Sequence, residues 1–319
     1  MLLIGDVRDK IKEVQTETIQ AIITSPPYWG LRDYGKDDQI GQEETPEQFV
    51  QAMVELARGW HRVLKKDGTL WLNLGDTYFG AKGGHWSSDN SFTNEDTGTK
   101  YRESRKAPPK HPFLKTKDLV GVPWRVALAL QQDGWYLRND IIWAKNNPMP
   151  EAVKDRFAKS HEHIFLLSKS PRYKFFYEEV LEPYTEPLNR WGGDNFNDEE
   201  DEESKYGIAM SKELGYSHQN KEGKGKQVRP NPKGRTRKDV WKLNTSSYSG
   251  AHFAVFPETI PELAIKAGTE KGDIVLDPFM GSGTTAVMAT RLGREWVGIE
   301  LNEEYAEIIA DRTSQIEMF

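Results

Sequence analysis

DIVLDPFMGSGTTAVMATRLGREWVGIE, residues 273–300, reads as a strand, a glycine turn, a helix and a second strand in succession. The apolar run Ile274–Leu276 ends at Asp277, and Pro278 has no amide proton with which to continue a sheet ladder. A helix follows from about Thr284 and is closed by Gly293, and the next apolar run ends in Glu300. Two strands joined through a helix run parallel, and such sheets bind ligands beyond the carboxyl ends of their strands. Gly281 and Gly283 permit a tight turn and close backbone approach, and the helix start offers free amide donors. Any tight turn can use such glycines. An acid at the end of the next strand is more pointed, because the Glu300 carboxylate can accept from both hydroxyls of a ribose. The loop has neither the lysine of a phosphate-cradling loop nor G-x-G-x-x-G spacing, which disfavours ATP and dinucleotides and favours S-adenosylmethionine.

A second strand end raises a sharper question. Ala21, Ile22 and Ile23 lead into TSPPYW, residues 24–29, where two prolines stop the strand and leave Ser25, Pro26, Pro27 and Tyr28 as a stiff tip. The rest of the chain supplies the alternation that surrounds these two units. Thr45, Pro46 and Gln48 make a capping-box start, and Phe49, Met53, Leu56, Trp60 and Val63 recur at helical spacing. GTLWLNLGD reads as a strand, PWRVALALQQDG as a helix, WYLRNDIIWAK and HIFLLS as buried strands, PETIPELAIKAG and NEEYAEIIADRTSQI as helices. The expectation is an α/β fold, a mostly parallel twisted sheet with helices on both faces.

Composition narrows the chemistry. The 319 residues contain no cysteine, so thiolate zinc sites and thiol nucleophiles are excluded. No metal site is expected; His161 and His163 alternate as on a strand. The absence of an apolar span or basic leader at MLLIGDVRDK points to a cytoplasmic protein without a membrane partner. The net charge of −6 argues against a globally basic nucleic-acid surface but leaves room for a local one. Residues 183–250 have a distinct character. DNFNDEEDEES carries seven acids and no base, whereas KEGKGKQVRPNPKGRTRK carries eight bases and one acid. The organisation expected is a half-domain at 1–182, an inserted region at 183–250 and a second half-domain at 251–319, with Arg229, Lys233, Arg235 and Arg237 as candidate phosphate contacts.

Together, TSPPYW and LDPFMGSGTT resemble the amino-methyltransferases of DNA, which methylate exocyclic amines of cytosine or adenine from S-adenosylmethionine. The catalytic loop precedes the cofactor loop, as in the permuted group called the beta class, so the resemblance implies a Rossmann-like methyltransferase fold with permuted motif order. It assigns Asp6 to the cofactor adenine and places HFAVFPE, with Phe253 and Pro257, against the methionine part. Asp277, Pro278, Phe279, Gly281, Ser282, Gly283, Thr284 and Glu300 complete the implied cofactor set. Residues 183–250 become the target-recognition region. Implied partners are double-stranded DNA, a homodimer mate, and a cognate restriction endonuclease in the host that is not bound. Serine at position 25 favours cytosine N4, with adenine N6 as the alternative. Further alternatives are a methyltransferase for RNA or protein amide and a catalytically inactive DNA-binding relative.

Overall fold

The computed structural model describes residues 1–30, 39–80, 111–184, 231, 233–247 and 254–317. In chain order the elements are β1 (Leu2–Ile4), α1 (Val7–Lys10), β2 (Ile19–Thr24), α2 (Pro46–Val63), β3 (Leu64–Leu74), α3 (Val122–Gln132), β4 (Tyr136–Lys145) and β5 (His161–Ser168). They continue with β6 (Val240–Leu243), β7 (Ser246–Ser247), β8 (Ala254–Val255), α4 (Thr259–Gly268), β9 (Ile274–Asp277), α5 (Thr284–Arg291), β10 (Glu295–Glu300) and α6 (Tyr305–Glu317). The chain divides into one unit of Met1–Phe176 with Lys238–Phe319, and a second of Tyr177–Arg237.

The first unit is built on an eight-stranded sheet of order β1-β10-β9-β2-β3-β5-β4-β6. Only β5 runs against its neighbours; the other pairings are parallel. This is the Rossmann-like fold expected. Side chains alternate across the sheet with the strand period of two. Ile22, Leu70 and Leu72 enter one core with Phe49, Met53, Trp60, Val126 and Leu130 of α2 and α3. Ala21, Thr69 and Trp71 turn to the opposite face, where Gly268 of α4 lies so close that a Cβ there would stand 2.9 Å from the Thr69 hydroxyl. Because both faces are covered, β2 reads as a continuous buried run.

The expected α2 start is realised: the Thr45 hydroxyl accepts from the Gln48 amide at 3.2 Å and the Gln48 side chain accepts from the Thr45 amide at 3.1 Å. Val240–Leu243 falls inside the segment 183–250 yet forms β6, the sheet's edge, in register with Ile142–Lys145. In the second unit, Glu182 and Arg235 exchange backbone hydrogen bonds at 2.9 Å, and Arg235 Nε donates to the Glu182 carboxylate at 2.9 Å. No described helix is long and apolar enough to cross a membrane.

Candidate active site

Because β2, β3, β4, β9 and β10 are parallel, Thr24, Leu74, Lys145, Asp277 and Glu300 end at one edge of the sheet. β5 runs the other way, so its amino end, His161 and Glu162, arrives at that same edge beside Trp143 and Ala144.

Asp277 ties the two sequence motifs together. Its buried carboxylate accepts from the Thr24 hydroxyl at 2.8 Å, the Phe279 amide at 3.1 Å and the Thr285 hydroxyl at 2.7 Å. One side chain therefore holds the residue preceding Ser25, the glycine loop and the start of α5. This makes Asp277 an organiser within the rim, with its hydrogen bonds directed to protein groups. Burial pushes its carboxyl up to about 6, against the hydrogen bonds from Thr285, Thr24 and Phe279. The folded protein thus holds a proton between pH 3.8 and about 6 that the unfolded chain has released, so this group's stabilisation declines as pH rises through that window. The full swing is about 3 kcal/mol. Asp277→Asn retains the shape: its carbonyl can accept from Thr24 and Phe279, and its amide can donate to Thr285. We expect the urea midpoint of D277N to vary less between pH 4 and 6.5 than that of wild type, with a residual slope from Glu300. A wild-type slope in D277N would remove Asp277 as its source.

The glycine loop divides into a part that faces open space and a part that faces protein. Gly281 has φ +52°, no described residue beyond its chain neighbours comes within 4 Å of the Cβ it lacks, and its amide donates to Glu300 Oε2 at 2.8 Å. Gly283 has a packing reason to be small. It has φ +82° as the N-cap of α5, and a Cβ there would stand 3.0 Å from Ile309 of α6. The small residue at 283 is required by helix packing and left-handed backbone. Ser282 is buried, and its hydroxyl and carbonyl accept from Arg312 Nη1 at 3.0 and 2.6 Å. Thr284 is buried beside them, and Pro278 is buried at the loop's entrance. Phe279 is half-buried with its ring edge-on to Trp60.

Glu300 Oε1 accepts from the Asn302 amide at 2.9 Å, so each carboxylate oxygen carries one backbone hydrogen bond and keeps accepting capacity. Burial raises its carboxyl above the ordinary range, tempered by the amides of Asn302, Gly281 and Leu301. Gly5 donates to the Glu300 carbonyl at 2.8 Å, which brings Asp6 to the same edge. The Asp6 carboxylate is engaged by Arg8, whose backbone amide and Nε donate to Oδ1 at 2.8 and 2.9 Å; the Arg8 hydrogen bonds hold its carboxyl low. An acceptor pair at Glu300, open space over Gly281 and an acid at Asp6 fit the diol and amine of an adenosine. Pro257 is buried before α4, and Phe253 lies outside the described residues.

At the other motif Pro26 is buried, while Ser25, Pro27 and Tyr28 are half-buried. The Tyr28 hydroxyl points inward and donates to Glu162 Oε2 at 2.6 Å. Asn73 Nδ2 donates to Tyr28 at 2.8 Å and to Glu162 at 3.0 Å, and Lys145 Nζ reaches Glu162 Oε1 at 2.5 Å. The ring edge rests on Gly75, where a Cβ would stand 2.6 Å from Tyr28 Cε2. Asn73, Lys145 and Glu162 were not among the residues singled out from sequence. A carboxylate and an amide inside otherwise apolar strands were the available signal, since buried polar side chains are rarely incidental.

Of the basic candidates, Arg229 lies outside the described residues. Lys233 pairs with Glu178 at 3.2 Å, Arg235 pairs with Glu182, and Arg237 Nε donates to the Val180 carbonyl at 3.0 Å. Among the described residues there is no cluster suited to a metal ion.

Comparison with known proteins bears on the same rim. A family model for DNA methylases, the N6/N4 methyltransferases, matches residues 19–311. Type II methyltransferase M.SmaI of Serratia marcescens is 43% identical over 311 residues, 98% of this chain and 89% of that protein. M.Cfr9I of Citrobacter freundii is 40% identical over 308 residues, covering 97% and 85%. The structure of PvuII DNA methyltransferase (cytosine-N4-specific) superposes with a TM-score of 0.63 at 19% identity, covering 99% of this chain and 89% of that one. TTHA0409 of Thermus thermophilus, complexed with S-adenosyl-L-methionine, gives 0.57 at 19% identity, covering 100% and 96%. The two structures speak to the fold. The family match from β2 into α6, with relatives at 40% identity or more along almost the whole chain, places this protein among the N6/N4 DNA methylases, a family dependent on S-adenosylmethionine.

Proposed function

We propose that this methyltransferase acts on the N4 amine of cytosine flipped out of duplex DNA, with Ser25 and the Pro26 carbonyl as the two acceptors for the amine hydrogens. The observation that carries this reading is the Thr24–Asp277–Thr285 link, which locks the Ser-Pro-Pro-Tyr tip to the glycine loop. An exocyclic amine is a poor nucleophile because its lone pair is delocalised into the ring. Two acceptors aimed at its hydrogens favour a pyramidal nitrogen whose lone pair stands out of the ring plane. Pro26 and Pro27 fix the direction of the carbonyl. Such a site works by positioning and electrostatics, and needs no strong base.

S-adenosylmethionine, when bound, supplies an electrophilic methyl group; Glu300, Asp6 and the open edge at Gly281 would hold its adenosine. Tyr28, pinned at its hydroxyl and against Gly75, is a rigid plate on which an extruded base can stack. The unit Tyr177–Arg237, with the basic residues around Lys233, would read the surrounding duplex. Serine supports cytosine because a neutral hydroxyl stands where the family's adenine enzymes more often carry aspartate.

Nucleoside mass spectrometry of DNA treated with the purified protein tests the assignment. We expect 4-methylcytosine. If 6-methyladenine accumulates in its place, the base is wrong while the acceptor geometry stands; absence of both from every DNA offered would overturn the site reading.

A further inference from the structure

Glu162 is the buried ionisable group at this rim that the acceptor scheme above leaves unused. Its side chain is only 12% exposed and that of Lys145 22%. Burial raises its carboxyl, but the Lys145 ammonium, with hydrogen bonds from Lys145, Tyr28 and Asn73, outweighs burial and holds it below the ordinary value. A carboxylate so held is a fixed acceptor and a poor proton store. The groups facing it set a directed chain. The single Tyr28 hydroxyl proton is committed to Glu162 Oε2 at 2.6 Å, so the Tyr28 oxygen can only accept from its other neighbours. It accepts from Asn73 at 2.8 Å and from the Ser25 hydroxyl at 3.3 Å. With its proton turned inward and one lone pair facing Asn73 Nδ2 at 3.4 Å, Ser25 Oγ keeps its other lone pair for an outside donor.

We propose that Glu162 is a positioning residue for methyl transfer: with Lys145 behind it, its carboxylate fixes the Tyr28 hydroxyl and so turns Ser25 to meet the substrate amine as an acceptor. The inference rests on the reading of Ser25 given above. It explains why a carboxylate is placed inside β5, on the one strand that runs against the others, because only that direction brings its amino end to the rim. It also gives Asn73 a purpose, as the amide that holds Tyr28 and Glu162 together.

The polarity of the chain makes a sharp test. In Glu162→Gln the carbonyl must stay at Lys145, which can only donate. The new amide nitrogen then faces Tyr28 and Asn73 Nδ2, both of which donate to Glu162 Oε2 in the wild type, so it donates to Tyr28 and displaces the Asn73 amide. The Tyr28 proton turns toward Ser25, and the Ser25 proton turns outward, where it opposes the amine hydrogens. We expect E162Q to lower kcat for DNA methylation by about 10- to 100-fold, as loss of a supporting polar partner does. Affinity for S-adenosylmethionine, measured by calorimetry, should stay at the wild-type value, because Glu300 and the glycine loop are untouched. In a Ser25→Ala background the same substitution should cost no more than a few-fold, from the looser Tyr28 plate, since the chain then has no acceptor to orient. Tyr28→Phe, which leaves the Glu162–Lys145 pair intact, should reproduce the pattern and serves if E162Q folds poorly. A full additional loss from Y28F or E162Q in the S25A background would overturn the proposal, as would wild-type kcat in either single variant. Wild-type protein inactive on every DNA would instead defeat the reading of Ser25, and the proposal with it.

Discussion

Ser25→Ala is expected to retain cofactor affinity and to lose methyl transfer by roughly 100- to 1000-fold, the cost of one preorganised polar group at a reacting centre. The separation of the two effects follows from where the hydrogen bonds lie. Thr24 and Asp277 hold the strand end without Ser25, and Glu300 holds the glycine loop without it. The alanine variant therefore keeps its rim and its binding surface. What it loses is one of two acceptors for the amine hydrogens, and the Pro26 carbonyl alone sustains the residual rate. Single-turnover methylation with both substrates saturating measures the loss, and calorimetry with S-adenosylmethionine checks that binding survives. A rate within a few-fold of wild type would show that the serine hydroxyl is no acceptor in the transition state.

How much of this was legible in the sequence depends on how far apart the cooperating residues lie along the chain. The tips Ser25–Tyr28 and Asp277–Thr284 each form one contiguous loop, and both stand where proline and glycine place them. Glu300 follows from the end of its own strand. The network behind Tyr28 is different. Asn73 reaches it from 45 residues away and Glu162 from 134 residues away. Local pattern could not show that β5 is reversed, and it is that reversal which sends Glu162 to the rim. The same limit applies to Gly283, whose neighbour Ile309 belongs to the following helix, so its packing contact could not be read from the motif. β6 escaped for another reason. VWKL is four residues long, follows a run of charge, and gains its order from β4 alongside it.

The organisation of the rim also explains why two acids one strand apart take different work. Asp277 is 1% exposed and its hydrogen bonds close on protein hydroxyls and an amide. Glu300 sits at the corresponding end of the neighbouring strand but is half-buried, with one backbone donor on each oxygen. The first, shut off from solvent, organises the rim, whereas the second keeps lone pairs at a more open position.

Glu300→Ala should therefore weaken S-adenosylmethionine binding by about 2 to 3 kcal/mol, or roughly 30- to 150-fold in Kd, through loss of two charge-assisted acceptors. Part of the cost comes from the Gly281 amide, which loses the carboxylate that now fixes the loop edge. The pH dependence makes the prediction specific. Burial holds the Glu300 carboxyl above its ordinary value, and ribose hydroxyls favour its ionised form. Binding must then expel a proton wherever the free carboxyl is protonated, so wild-type affinity falls as pH drops through the raised value. Unfolding cannot account for that fall, because a carboxyl raised by folding adds stability as it gains its proton. Glu300→Gln has no such proton to lose and should bind weakly with little dependence on pH in the same range. Calorimetry of wild type, E300A and E300Q between pH 5 and 8 decides the matter. Unchanged affinity in a folded E300A, or an equal pH slope in E300Q, would take Glu300 out of the cofactor site.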